Sequence, residues 1–189
     1  MNLLEKYSTH CGVKISNPSI SSSYFPIPVE KYIIIDNRNR NKNAIYDLYE
    51  DVISYLHPIF EKNNIHIINF TFNEKNVIPK TIPYVGLPKK QEAYLLKNSL
   101  CNICSDNISS FISDGLDVPS IGLYSLFPSE VSKPIWNRKH EVIESSRLGN
   151  LPSYGENEMP KSVNFISPEE ISNKILDLLG LEPKTRNKT

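Results

Sequence analysis

The sequence predicts a three-layer α/β domain built on a six-stranded, mainly parallel sheet, and three observations carry that prediction. Strand-like and helix-like segments alternate along most of the 189 residues, the pattern that buries a sheet between two layers of helices. Lys31-Tyr32-Ile33-Ile34-Ile35-Asp36 holds a continuous apolar run, as a strand covered on both faces requires. The stretch from Gln91 to Ser125 reads as helix, strand, helix, strand. Two strands so connected run parallel, joined by a right-handed crossover.

The elements follow in order. Met1 to His10 predicts a short helix with Leu3, Leu4 and Tyr7 on one face, and Cys11 to Pro28, rich in Ser and Pro, reads as an extended connector. Residues 1–30 are therefore a helix and connector, 31–180 the α/β domain, and 181–189 a polar tail that frays. The first strand ends in a polar loop, Asn37 to Asn43, carrying Arg38, Arg40 and Lys42. Ile45, Leu48, Tyr49, Val52, Ile53, Leu56 and Phe60 then mark a long amphipathic helix, which Asn63-Asn64 ends. Ile65 to Phe70 is the second strand and Tyr84-Val85-Gly86 a weak third. Ala93, Leu95, Leu96 and Leu100 have helical spacing, and Leu100 to Cys104 is the fourth strand. Ser105-Asp106 supplies helix-starting residues; Ile108, Phe111, Ile112 and Leu116 give that helix an apolar face, with Gly115 near its end. Val118 to Tyr124 is the fifth strand, Pro128 to Trp136 holds one helical turn, and Glu141 to Glu144 is the sixth strand. After a loop broken by Pro152 and Pro160, Ser167-Pro168-Glu169-Glu170 starts a last helix, whose buried face is Ile171, Ile175, Leu178 and Leu179. The expected strand order is 3-2-1-4-5-6.

Composition excludes several function classes. Lysine plus arginine equals aspartate plus glutamate at 21 each, so no global field draws nucleic acid or an anionic membrane. No apolar run approaches the roughly 20 residues of a membrane helix, and the first residues have no secretion-signal pattern. Three cysteines, an odd number, fit reduced thiols in a cytoplasm. Cys101 and Cys104 have Cys-x-x-Cys spacing, but no second pair completes a zinc site, and on a strand they point to opposite faces; core packing explains them. His10, His57, His66 and His140 form no triad or metal spacing, so no metal is expected. Gly-x-Gly-x-x-Gly is absent, and no nicotinamide or flavin cofactor is expected.

Open α/β sheets bind ligands beyond the carboxyl ends of their strands, which here are Ser105 to Ser109 and Tyr124 to Ser129. The helix start at Asn107, Ile108, Ser109 and Ser110 presents free N–H groups and the positive end of a helix dipole, and small serines let a phosphate come close. Read plainly, Asp106 caps a structural helix there. Arg38, Arg40 and Lys42 follow the first strand near the same crevice, or form a solvated basic loop. Gln91 begins a helix over the crevice and either contacts a nucleotide or lies on the surface.

Gln91 to Tyr94, Lys97-Asn98-Ser99-Leu100, Asp106 before Ser109-Ser110, and the strand Val118-Pro119, Ile121, Leu123-Tyr124 together resemble the C-terminal half of heptosyltransferase-like glycosyltransferases. The resemblance runs from about Tyr32 to Leu179. It implies the Rossmann-like, donor-binding half of the two-domain GT-B fold, with a nucleotide-diphosphate sugar as donor substrate and no cofactor. It implies further that Asp106 to Ser110 holds the donor diphosphate, and that Lys42 matches a family lysine before the long helix and reaches across the crevice. Tyr7 to Ile15 is similar to a segment near the junction of the two halves. Lys133 to Asn137, with Trp136, resembles a segment that either walls the crevice or packs. The chain departs from the family at Asn107-Ile108, where a glycine is common, and at Phe111, where histidine is. The family's general base lies in the other half, so no catalytic residue is assigned. Hexosyl or heptosyl transfer would need a second GT-B-type domain, a homo-oligomer or a longer parent chain. The alternative is a non-catalytic binding or assembly module that kept the half fold.

Overall fold

The computed structural model describes residues 1–136, 139–153 and 157–182. Of the expected tail, residues 183–189 lie outside the described residues, as does Asn137. Six strands form one sheet: β1 (Tyr32–Asp36), β2 (His66–Thr71), β3 (Ile82–Val85), β4 (Asn102–Ser105), β5 (Ser120–Tyr124) and β6 (His140–Glu144). Their order is β3-β2-β1-β4-β5-β6, and every pairing is parallel. The helices are α1 (Leu3–Cys11), α2 (Tyr49–Asn63), α3 (Lys89–Lys97), α4 (Ile108–Gly115), the short α5 (Ser129–Ser132) and α6 (Pro168–Leu178). This is the expected Rossmann-like architecture.

Strand alternation sorts the core into two layers. Ile33 and Ile35 of β1, with Ile103, Ile121, Leu123 and Ile143, pack under α2 and α6. Tyr32 and Ile34, with Ile68 and Phe70, pack under Leu95 and Leu96 of α3 and Ile112 of α4. Ile33, Ile34 and Ile35 are completely buried, and each such side chain is worth about 1.5–3 kcal/mol. This explains why so short a run sits at the sheet centre. Cys101 and Cys104 are buried free thiols, and burial pushes the Cys101 thiol up to about 12.

Three local features depart from the sequence reading. The long helix begins at Tyr49, not Ile45. Asn41 Oδ1 accepts the Asn43 N–H and starts a 3-10 turn, Lys42–Ala44, instead. The Asp47 N–H then donates to Asn164 Oδ1 at 3.0 Å, tying the chain to the loop before α6. Tyr46 lies in this loop fully buried, its hydroxyl donating to the Ile166 carbonyl; the apolar spacing there marks a buried loop. Second, α3 starts at Lys89, two residues ahead of Gln91. Third, the connector is part of the second layer. Phe25, Ile27 and Val29 pack against the Tyr32–Ile34 cluster, Phe25 meets Tyr84 edge-on at 5.3 Å, and the Ser23 N–H donates to the Lys90 carbonyl at 2.9 Å. A Cβ on Gly115 would lie 2.7 Å from Pro18 Cγ, so the end of α4 has no side chain where the connector crosses it.

The starts of α1 and α6 follow capping rules. Asn2 caps α1 and forms a capping box with Glu5, and its Nδ2 donates to the Lys133 carbonyl at 2.9 Å. Ser167 caps α6 with Pro168 at the first position. Among the described residues, no helix is long and apolar enough to cross a membrane.

Candidate functional site

The crevice lies beyond the carboxyl ends of β1 and β4, where the direction of strand connection reverses. It has a volume of about 510 Å³, and its lining includes Arg38, Arg40, Phe72, Lys89, Asp106, Asn107 and Ile108. Asn107, not Asp106, caps α4: its Oδ1 accepts the Ser109 N–H at 2.9 Å. The physical reason is geometric, since Asn107 takes the extended backbone of a cap and Ile108 begins the helix. The other end of the same side chain donates to the Arg38 carbonyl at 2.9 Å. Asn39 Nδ2 in turn donates to the Asp106 carbonyl at 3.0 Å. Two amide side chains thus fasten the β1 loop to the α4 turn.

The serines point inward. Ser109 Oγ donates to Asn107 Oδ1 at 2.7 Å, and Ser110 Oγ to the Asn107 carbonyl at 2.7 Å. Both residues are buried. Beneath them Asn102 Nδ2 donates to Ser113 Oγ at 3.0 Å and to Ser109 Oγ at 3.3 Å, so α4 sits on β4 partly through a buried polar cluster. The Ser110 N–H is directed to the Asn107 carbonyl at 3.3 Å. Ile108, the first helical residue, therefore supplies the first-turn N–H with no acceptor in the helix itself.

The floor of the crevice is a buried charge network. Arg38 reaches Asp36 through Nε at 2.7 Å and Nη2 at 2.8 Å. It reaches Glu92 of α3 through Nη2 at 3.1 Å and through Nη1. Lys89 Nζ adds a bond to Glu92 at 2.8 Å. The Arg38 guanidinium also lies 5.0 Å from the Phe70 ring centroid and 6.0 Å from that of Phe72. Burial alone would lower the Arg38 guanidinium, but the hydrogen bonds it donates to Asp36 and Glu92 carry it above its ordinary value. Burial likewise pushes the Glu92 carboxyl up, and bonds from Arg38 and Lys89 overcome that and hold it below the usual range. Among the described residues no cation pairs with Asp106, and burial raises its carboxyl.

Of the residues expected at the site, the structure brings Asp106, Asn107 and Ile108 to the crevice and turns the Ser109 and Ser110 hydroxyls away from it. Lys42 instead lines a neighbouring cavity of about 590 Å³ with Tyr49 and Glu50 at the start of α2. Gln91 is half-buried in the first turn of α3, and Lys89 occupies the crevice side of that helix. Trp136 packs edge-on against Phe111 at 6.2 Å and lines a separate cavity with Pro18 and Gly115. Sequence reasoning missed the Asp36–Arg38–Glu92 network, Lys89 and Phe72. One signal for the network was present: Glu92 shares a helical face with Leu95 and Leu96, where an acid needs a buried partner. Among the described residues, no three His, Cys, Asp or Glu side chains gather as metal ligands.

No family model and no curated protein matches this sequence. Solved structures do. A family 9 glycosyl transferase from Veillonella parvula superposes with a TM-score of 0.62 at 14% identity, over 94% of this chain and 50% of that one. The E. coli heptosyltransferase WaaC, solved with ADP, gives 0.59 at 13% identity, over 92% and 54%. The dodecameric, iron-containing glycosyltransferase TibC from enterotoxigenic E. coli gives 0.65 at 12% identity, over 88% and 52%. The chain thus spans about half the length of the solved chains it matches. The shared architecture is a Rossmann-like domain of the GT-B glycosyltransferase type.

Proposed function

We propose that this domain binds the nucleotide-diphosphate sugar of a glycosyl transfer reaction in the crevice between β1 and β4. The observation that carries the reading is the crevice itself, placed at the sheet's switch point with the α4 start exposed in it. A donor diphosphate would meet the Ile108 N–H and the positive end of α4, with cations on the facing walls. These groups would stabilise the leaving nucleotide diphosphate as the sugar departs. WaaC was solved with ADP, which supports an ADP-type donor as the first ligand to try. The base that activates an acceptor would come from a second GT-B-type domain or another subunit; TibC, a dodecamer, offers a precedent for assembly.

A second reading, a binding or assembly module without transfer activity, is favoured by one observation. Arg38 is wholly engaged by Asp36 and Glu92, which leaves the crevice poorer in free positive charge than its sequence suggests. A thermal-shift and calorimetric screen of ADP, GDP, UDP and their sugars separates the two. Binding that raises the melting temperature, with sugar transfer once a partner domain is supplied, supports the first reading. Binding without transfer supports the second, and no binding at millimolar concentration removes the nucleotide site.

A further inference from the structure

We infer that Arg40, from the β1 loop, and Lys89, from the start of α3, are the two cations that hold a phosphorylated ligand in the crevice. The inference rests on the nucleotide-binding reading above. Both side chains line the crevice with Asn107 and Ile108. Lys42, to which the family resemblance pointed, lines the cavity beside the start of α2.

The charge network decides which cations are available. Arg38 is only 8% exposed and its guanidinium is spent on two carboxylates, so drawing it toward a ligand would strand Asp36 and Glu92 in the interior. Lys89 differs. Its side chain is 60% exposed, and Glu92 keeps two bonds from Arg38 when Lys89 turns to a ligand. Arg40 is exposed, and among the described residues it makes no ion pair, so engaging a phosphate breaks nothing. The Arg38–Glu92 bond also sets the spacing between the two cations. Arg38 lies two residues before Arg40 on one wall, and Glu92 lies one helical turn after Lys89 on the other. Among the described residues, two carboxylates line the crevice; Asp36 is paired with Arg38, and Asp106 opposes the two cations.

The test compares variants that lose the same charge in different places. Arg40→Ala and Lys89→Ala remove the inferred ligands. Lys62→Ala and Lys90→Ala remove exposed lysines that do not line the crevice. Melting curves confirm that each variant folds, and calorimetry measures binding of ADP and of inorganic diphosphate. The expected result is an affinity loss of about tenfold or more for Arg40→Ala and Lys89→Ala, as for a lost charge-assisted hydrogen bond. The two controls should change by less than about twofold. Equal losses in all four variants would mean attraction by net charge alone and would overturn the inference. So would wild-type affinity in Arg40→Ala and Lys89→Ala, in which case the nucleotide reading survives without these two residues. If the folded wild-type protein binds neither anion at millimolar concentration, the nucleotide reading fails first and takes the inference with it.

Discussion

Arg38→Met removes the one cation shared by two carboxylates that are each 1% exposed. Methionine keeps most of the packing against Phe70 and Phe72, so the loss isolates charge. Removing one partner of a buried ion pair costs about 3–5 kcal/mol, because the other charge stays buried without it. Domains of this size are stable by about 5–15 kcal/mol, so the variant should fold at reduced stability. Urea unfolding at pH 7 should show a deficit of about 3–5 kcal/mol with an unchanged slope. The pH dependence supplies an independent check. In the wild-type protein Glu92 is held below its ordinary 4.5; the stability it contributes is present above that value and lost as pH falls through the folded-state value. In the variant, burial acts on Glu92 with Lys89 alone opposing it, so the folded state takes up protons sooner as pH falls. The deficit should therefore narrow between pH 7 and pH 5. The triple variant with Asp36→Asn and Glu92→Gln added should recover most of it. A deficit below about 1 kcal/mol at pH 7, the level of a surface ion pair, or one that stays constant to pH 5, would refute the reasoning.

Three further outcomes are expected. His140, bonded to Ser120 Oγ at 2.8 Å and the Tyr124 hydroxyl at 2.9 Å, is pushed down to about 4, by burial first and Lys133 second. Its contribution is complete above its unfolded value of 6.5 and is lost as pH falls toward 4, by up to about 3 kcal/mol; His140→Gln should flatten that limb of a stability–pH curve. Gly122→Ala would put a Cβ 2.5 Å from the Tyr124 ring and 2.9 Å from His140; chemical denaturation should register a loss of about 1–3 kcal/mol. Asp106, raised by burial, repels a diphosphate only when ionised, so ADP affinity should rise as pH falls through its titration, and Asp106→Asn should abolish that dependence in calorimetry.

The layered architecture was legible because its cause is local. Ile33 to Ile35 are apolar on both faces, and strand–helix alternation leaves one economical way to bury them. Ser167 and Pro168 likewise mark their helix start through neighbours alone. The site was harder to read because its partners are far apart in the chain. Asn107 was legible as part of a helix start, but that its amide would grip the Arg38 carbonyl depends on β1 and β4 being adjacent. Arg38 looked like a surface cation until α3 brought Glu92 against it. Ile45 and Leu48 have helical spacing yet lie in a loop, because Tyr46 and Asp47 find partners near residue 165. Periodicity records which residues are buried and does not record what covers them.

The packed connector has a kinetic consequence. Its contacts reach across the chain: Ser23 bonds to Lys90, and Pro18 crosses Gly115. Contacts of such separation form late, after the helices and strands they rest on have assembled. With few backbone bonds of its own, the segment from Gly12 to Val29 should also be the first to leave, opening as a unit at a fraction of the global unfolding free energy. While it is away, Tyr32, Ile34 and the inner side of α3 lose part of their cover. Chain nicking near Ser21 to Ser23 and transient exposure of that second layer would then be one event, and self-association would begin from a molecule whose sheet is still intact.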